Sequence, residues 1–294
     1  MRIGAVLGTA GTATLDDMIG NARRIEAAGL DNVWMANIFG LDAISTLGFI
    51  GREVPRIGLG TAVTPTYPRH PTAIAQQALT TAAATGGRFS LGIGLSHKVV
   101  IEDMLGLSYD RPARHMREYL EVLMPLVRGE TVNHDGEQYR VHGMAINVPG
   151  SGNMPVLVAA LGPVMLKIAQ ELADGTITWM VGPKTLAGHI APSIGPDATI
   201  VAGMPIVLTT NVDRAKEVIA RELQIYGQLP SYRAMLDREG VAGPADIAIV
   251  GDENALRSGI KRMQDAGVTD FNAAIINSED GAYERTLEFL GSLT

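Results

Sequence analysis

The chain has 294 residues, 46% of them hydrophobic, a formal net charge of −7 and no cysteine. That length suits one α/β barrel, and the acidic balance argues against nonspecific binding to nucleic acid or to an anionic membrane. Without cysteine there are no disulfides, no thiolate catalysis and no thiolate-ligated metal.

The predicted elements alternate from the start. Residues 3–7 form a short apolar run, hence a buried strand. Residues 14–28 have helical periodicity and stop at Gly29, a natural C-cap. Residues 32–35 read as strand two, followed by a helix over 42–52 with Asp42 as its N-cap. Residues 57–63 are strand three, and the helix over 71–85 opens with a proline suited to its first position. Strand four covers 89–93, with a helix over 112–127.

The rhythm breaks at 131–148, where polar and apolar residues alternate around Asp135-Gly136, a favoured hairpin turn. Strand five covers 156–160, strand six 176–179 and strand seven 200–208, with helices from Pro163, Pro183 and Asp213. Residues 230–252 are the least regular stretch and read as a surface insertion or lid. A helix over 254–266, strand eight over 271–276 and a helix over 283–290 complete the chain. These elements predict an α/β fold, a closed (β/α)8 TIM barrel with a β-hairpin inserted after helix 4, in a single domain over 1–294. An open doubly wound sheet is the alternative.

No uncharged apolar run approaches ~20 residues, so no membrane span is expected. Residues 1–15 have no long apolar core behind basic residues and do not read as a signal peptide, so a cytoplasmic location is the expectation.

In such a barrel the chemistry lies in the loops that follow the strands. Here these are Ala36-Asn37-Ile38-Phe39, Thr61 to Tyr67 with Arg69 and His70, Gly94-Leu95-Ser96-His97-Lys98, Ala160-Leu161-Gly162-Pro163, and Trp179-Met180. Few carboxylates stand among them, which argues against two-carboxylate hydrolysis and against a carboxylate-rich metal site; no metal is expected. Small residues, hydroxyls and helix starts suit a flat, partly apolar cofactor with a phosphate tail. Gly92-Ile93-Gly94 is too short for a dinucleotide fingerprint.

The stretches GLGTAVTPTYPRHP, RFSLGIGLSHK, RPARHMREYLEVLMPLVRGE with HDGEQYRV, PVLVAALGPVMLKIAQELADGTITW and DAGVTDFNAAII occur in that order. On these residues the chain resembles the bacterial-luciferase-like superfamily of flavin and deazaflavin oxidoreductases, and within it the branch that uses the deazaflavin coenzyme F420. The resemblance implies a non-proline cis peptide between Thr61 and Ala62, in a bulge that backs the cofactor ring. It implies a ring contact at Thr64, cofactor contacts at Gly94, Leu95 and Ser96, and Val100 just beyond. It implies that Ala159, Ala160, Leu161, Gly162 and Pro163 hold the phosphate through backbone N–H groups.

The chain also departs from this pattern. Sugar-phosphate dehydrogenases of the family carry an Asp-His pair after strand two, where Asn37-Ile38 stands here. They carry a carboxylate in the strand-four loop, where His97 stands here. Without that base, a reductase delivering hydride to an activated double bond fits better, since it needs positioning and one proton donor. His97 is the candidate donor, or else a loop histidine that bonds backbone. Asn37 contacts the cofactor's pyrimidine edge or merely ends strand two. Trp179 walls the substrate pocket or is a core aromatic. His70 contacts substrate or caps a helix. Residues 111–121 read as a solvated helix face with i,i+4 pairs such as Arg114–Glu118.

The resemblance therefore implies an F420-dependent oxidoreductase acting on a small-molecule substrate. An FMN-dependent monooxygenase and a non-catalytic flavin-binding barrel are the alternatives. A basic groove near Arg69, Lys98 and Arg111 would favour the anionic tail of F420. A homodimer is expected, with the apolar residues 43–50 packing across a two-fold or else covering the barrel. His134 and His142, in the hairpin, could touch the second subunit.

Overall fold

The computed structural model describes residues 1–8 and 13–294. Its barrel strands are β1 (Arg2–Val6), β2 (Asn32–Met35), β3 (Gly58–Thr61), β4 (Phe89–Gly94), β5 (Val156–Ala159), β6 (Gly175–Trp179), β7 (Thr199–Leu208) and β8 (Asp270–Ile275). Each is parallel to the next, and β8 pairs with β1 from Arg2↔Asp270 to Ala5↔Ala273. The sheet is therefore a closed ring of eight strands, as the alternation predicts, and the open sheet is ruled out. Parallel neighbours require long crossovers, which the helices supply.

Local chemistry sets the helix starts. Thr14 and Asp17 form a reciprocal capping box at α1 (Leu15–Ala27). The side chain of Asp42 accepts from the Ser45 N–H (2.9 Å) at the start of α2 (Ala43–Glu53). Pro71 opens α3 (Pro71–Ala84) and Pro112 opens α4 (Pro112–Val127). On α2 the apolar residues Ala43, Ile44, Leu47 and Ile50 are fully buried within the chain's own core, so this face covers the barrel; Phe49 alone among its large apolar residues points outward.

The barrel interior is closed by Trp34, Leu157, Ile177 and Val201. Two glycines make room for indoles there. A Cβ on Gly60 would lie 2.2 Å from the Trp34 ring, and one on Gly203 would lie 2.7 Å from the Trp179 ring.

Five expectations need correction. Strand three ends at Thr61 rather than 63, and a short strand, Thr64–Pro65, then pairs with β4. The cis peptide joins Ala62 to Val63, one bond later than the resemblance implies. Thr61 keeps its ladder position opposite Met35, and its hydroxyl both donates to Gly92 O (2.7 Å) and accepts from Gly92 N–H (2.8 Å). The chain therefore leaves the strand only after Thr61.

The hairpin lies outside the ring, with strands Val132–Asp135 and Arg140–Met144, but Asp135 still pairs with Arg140. The turn therefore spans residues 136–139 rather than Asp135-Gly136. It wraps the carboxylate of Glu118, which accepts from the N–H groups of Glu137 (3.2 Å), Gln138 (2.7 Å) and Tyr139 (3.1 Å). The Arg114–Glu118 pair is accordingly not formed; Arg114 meets Glu137 instead. A buried carboxylate satisfied by three backbone donors is no solvated face.

The region read as an insertion or lid is largely regular. A 3-10 turn, Gln224–Gly227, leads to α7 (Pro230–Glu239), where α5 is Pro163–Leu172 and α6 is Val212–Glu222. A three-residue strand, Ile249–Gly251, then pairs with β7 from Ile206, beyond the point where β6 has ended. Among the described residues no helix is long and apolar enough to cross a membrane.

Candidate functional site

The C-terminal ends of the strands surround a cavity of about 450 Å³. Of the residues singled out from the sequence, Ala62, Gly94, Leu95, Ser96, His97, Ala159, Leu161, Gly162 and Trp179 line it. The others lie behind or beside this lining. Asn37 ties two loops together: its N–H donates to Val63 O (3.2 Å), and its Oδ1 accepts from Ala43 N–H (3.0 Å). Its neighbours Ala36 and Ile38 face the cavity instead.

Thr61, Thr64 and Ala160 are buried and outside the lining, and Thr64 Oγ1 has no partner among the described residues. The Val100 N–H donates to the His97 carbonyl (2.9 Å), which steadies the loop after β4. Pro163 is the first residue of α5. His70 is the N-cap of α3, its Nδ1 accepting from Thr72 N–H (3.3 Å).

Two strand ends hold unusual backbone. Ser96 and Met180, both non-glycine, have φ of 61° and 52°, in the left-handed region. Such conformations persist where surrounding contacts enforce them. At Ser96 the carbonyl accepts from the Tyr109 hydroxyl at 3.3 Å, and Tyr109 itself lines the cavity.

One side of the cavity is aromatic. The rings of Trp179 and Tyr226 meet at 6.0 Å, those of Tyr226 and Tyr232 at 5.1 Å, and those of Tyr232 and His97 at 6.1 Å. Burial pushes the His97 imidazole below its ordinary pKa, and burial raises the phenols of Tyr109, Tyr226 and Tyr232. All four groups are therefore neutral at pH 7. Buried polar atoms of three lining residues, Trp34 Nε1, Trp179 Nε1 and Asn272 Oδ1, have no partner among the described residues.

The start of α5, which follows the strand between β4 and β6, also borders the cavity. Leu161, Gly162 and Met165 line the cavity, Gly162 offers no side-chain cap, and the first turn carries no acid. The Val164 and Met165 N–H groups therefore point out of the helix start without intrahelical acceptors, as an anion requires. The cations named for a basic groove are each matched by a carboxylate: Arg69 by Asp42 (2.8 Å), Lys98 by Glu102 (3.5 Å) and Arg111 by Glu137 (2.8 Å).

The sequence reading missed Trp34, Tyr109, Tyr226, Ser231, Tyr232 and Asn272, all of which line the cavity. Usable signals existed. Asn272 is a polar residue in the otherwise apolar strand eight, and Trp34 is one of only two tryptophans in the chain.

The family described as luciferase-like monooxygenase matches residues 1–289. A 5,10-methylenetetrahydromethanopterin reductase of Archaeoglobus fulgidus is 32% identical over 160 residues, 54% of this chain and 48% of that protein. The corresponding enzyme of Methanolobus tindarius is 29% identical over 254 residues, 81% of this chain and 77% of that protein. The match thus spans about half the length of the first relative and most of the second. Among solved structures, a coenzyme F420 dependent tetrahydromethanopterin reductase from Methanopyrus kandleri superposes with a TM-score of 0.82 at 21% identity, over 99% of this chain and 97% of that one. That likeness concerns the fold, and it agrees with the closed ring of eight strands. With its residues matched almost from end to end, the chain belongs to the luciferase-like monooxygenase family.

Proposed function

We propose that this protein is an F420-dependent oxidoreductase that transfers hydride between the deazaflavin and a small organic substrate, acting as a reductase. The carrying observation is that one cavity is lined both by an uncapped helix start at Gly162 and by the apolar residues Ala62 and Val63. A phosphate-bearing, flat-ringed cofactor needs both. Relatives whose names carry coenzyme F420, an oxidoreductase of Mycobacterium tuberculosis and a glucose-6-phosphate dehydrogenase of Mycobacterium avium, support the choice of cofactor.

The residues fit such a group. Backbone N–H groups at the start of α5 would take the phosphate, with Leu161 and Gly162 beside it. Ala62, Val63, Gly94 and Leu95 would bound the ring system, with Asn37, Thr61 and Thr64 supporting them and Ala159, Ala160, Ser96 and Val100 completing the two loops. When bound, the deazaflavin supplies the hydride. His97 exchanges the proton that accompanies it, Trp179 bounds the substrate, and α7 limits water at the open side. His70 is kept as a more distant substrate contact. A homodimer in the cytoplasm completes the proposal, with the outward Phe49 as a group the second copy would cover.

One observation favours a second reading. Because Arg69, Lys98 and Arg111 are each matched by a carboxylate, no free basic groove awaits a long anionic tail, and FMN has a shorter one. An FMN-dependent monooxygenase is therefore the alternative. Calorimetric titration with F420 and with FMN separates them. Tighter binding of F420 supports the reductase; tighter binding of FMN moves the assignment to oxygen chemistry, read by oxygen consumption. Binding of neither refutes both.

A further inference from the structure

We infer that the substrate of this site is a neutral, largely apolar molecule, and that substrates bearing a phosphate or carboxylate are excluded. The inference deepens the proposed function and rests on it.

The lining contains no Lys, Arg, Asp or Glu among the described residues. Its ionisable groups are His97, Tyr109, Tyr226 and Tyr232, which burial holds in their neutral forms. Residues 9–12, outside the description, read Thr-Ala-Gly-Thr and contain no ionisable side chain either. An anion taken into such a space loses its hydration and gains no countercharge. The electropositive feature at the cavity, the start of α5, is committed to the cofactor phosphate.

The rim points the same way. Among the described residues, every strongly exposed large apolar side chain except Phe49 is a lining residue, adjoins one in sequence, or falls in the stretch between two of them. Ile38 is itself a lining residue and is 56% exposed; Phe39 follows it. Val99, Met104, Leu105 and Leu107 lie between the lining residues His97 and Tyr109. Val164 and Ile225 each adjoin one. Exposed apolar groups on the segments that carry the lining favour an apolar ligand, and the aromatic run from Trp179 to His97 offers it faces and edges.

The test uses the cofactor-loaded protein and a matched pair of probes, 4-phenyl-2-butanone and 3-phenylpropionate, which differ chiefly in a methyl ketone against a carboxylate. Both tryptophans of the chain line the cavity, so intrinsic fluorescence reports occupancy without turnover. The ketone is expected to quench saturably, and the carboxylate to bind roughly 100-fold more weakly for want of a countercharge. In Ser231→Arg, which places a cation at an exposed lining position, carboxylate affinity should rise about 5- to 10-fold with the ketone little changed. Equal or tighter binding of the carboxylate by the native protein, no binding of the ketone, or no gain in folded Ser231→Arg overturns the inference. Cofactor titration is read separately, so loss of the cofactor assignment is distinguishable from loss of this one.

Discussion

The Thr185 hydroxyl donates a 2.6 Å hydrogen bond to Oε2 of Glu239. The same carboxylate accepts from the backbone N–H of Thr185 (2.7 Å) and of Lys184 (3.1 Å). This contact fastens the end of α7 to the chain that follows β6. Tyr232 rides on α7 and Trp179 ends β6, so Glu239 holds two parts of the aromatic wall in register.

Removing that anchor should loosen the wall without touching the cofactor. Glu239→Ala leaves Thr185 and its neighbour short of acceptors, at a cost of about 1–3 kcal/mol. The expected result is a lower unfolding midpoint and a raised KM for substrate, with cofactor affinity unchanged in titration. Cofactor affinity that falls in step with KM would contradict the assignment.

Gly60→Ala tests the barrel interior. The new Cβ would lie 2.2 Å from the Trp34 ring, which is itself buried in the barrel interior. Overpacking of this kind typically costs about 1–3 kcal/mol. Denaturant unfolding should show it, and displacement of Trp34 should shift the emission of the folded variant.

His97 makes the rate depend on pH in opposite senses for the two directions. Burial lowers its pKa, so the free site holds it neutral at pH 7. Reduction consumes a proton and should speed up as pH falls through a pKa below 6.5; oxidation should speed up as pH rises through it. His97→Gln should flatten both profiles and lower kcat roughly 100-fold or more, while leaving cofactor binding intact. An unchanged pH profile in the variant would remove His97 from the proton path.

His115 makes a stability prediction. Burial among Tyr67, Tyr119 and Tyr139 lowers its pKa to about 4. Its ring is held by Thr66 Oγ1 (2.9 Å) and Gln138 Oε1 (3.1 Å). Below pH 6.5 the unfolded chain protonates this group while the folded chain does not, so stability from this source is complete above pH 6.5 and is lost as pH falls toward about 4. The loss is on the order of 2–3 kcal/mol. Urea midpoints at pH 7 and pH 4.5 should converge more closely in His115→Gln than in the native chain.

The barrel was legible because its signals are local. Apolar runs such as residues 89–93, proline at 71 and Gly29 after a helix each act within a few residues, and their alternation dictates parallel strands with helical crossovers. The hairpin was legible for the same reason, although its turn shifted once Glu118 had drawn three N–H groups around itself. That shift could not be read locally, since Glu118 and Gln138 stand twenty residues apart and meet only when α4 packs against the hairpin.

The loops at the strand ends could also be named from the chain, because a barrel gathers them on one face whatever they contain. Which of their side chains turn inward was a matter of packing. Asn37 donates its backbone N–H to Val63, accepts from Ala43 N–H at its side-chain oxygen, and leaves the cavity to Ala36 and Ile38. Tyr226, Ser231 and Tyr232 reach the cavity from a segment with no regular pattern in sequence, because Glu239 binds that segment to a helix start more than fifty residues earlier. Alternation along the chain thus determines the ring and the face that carries the site. The wall, the neutrality of the lining and the partners of each polar group depend on contacts between residues far apart in the chain, which no local pattern encodes.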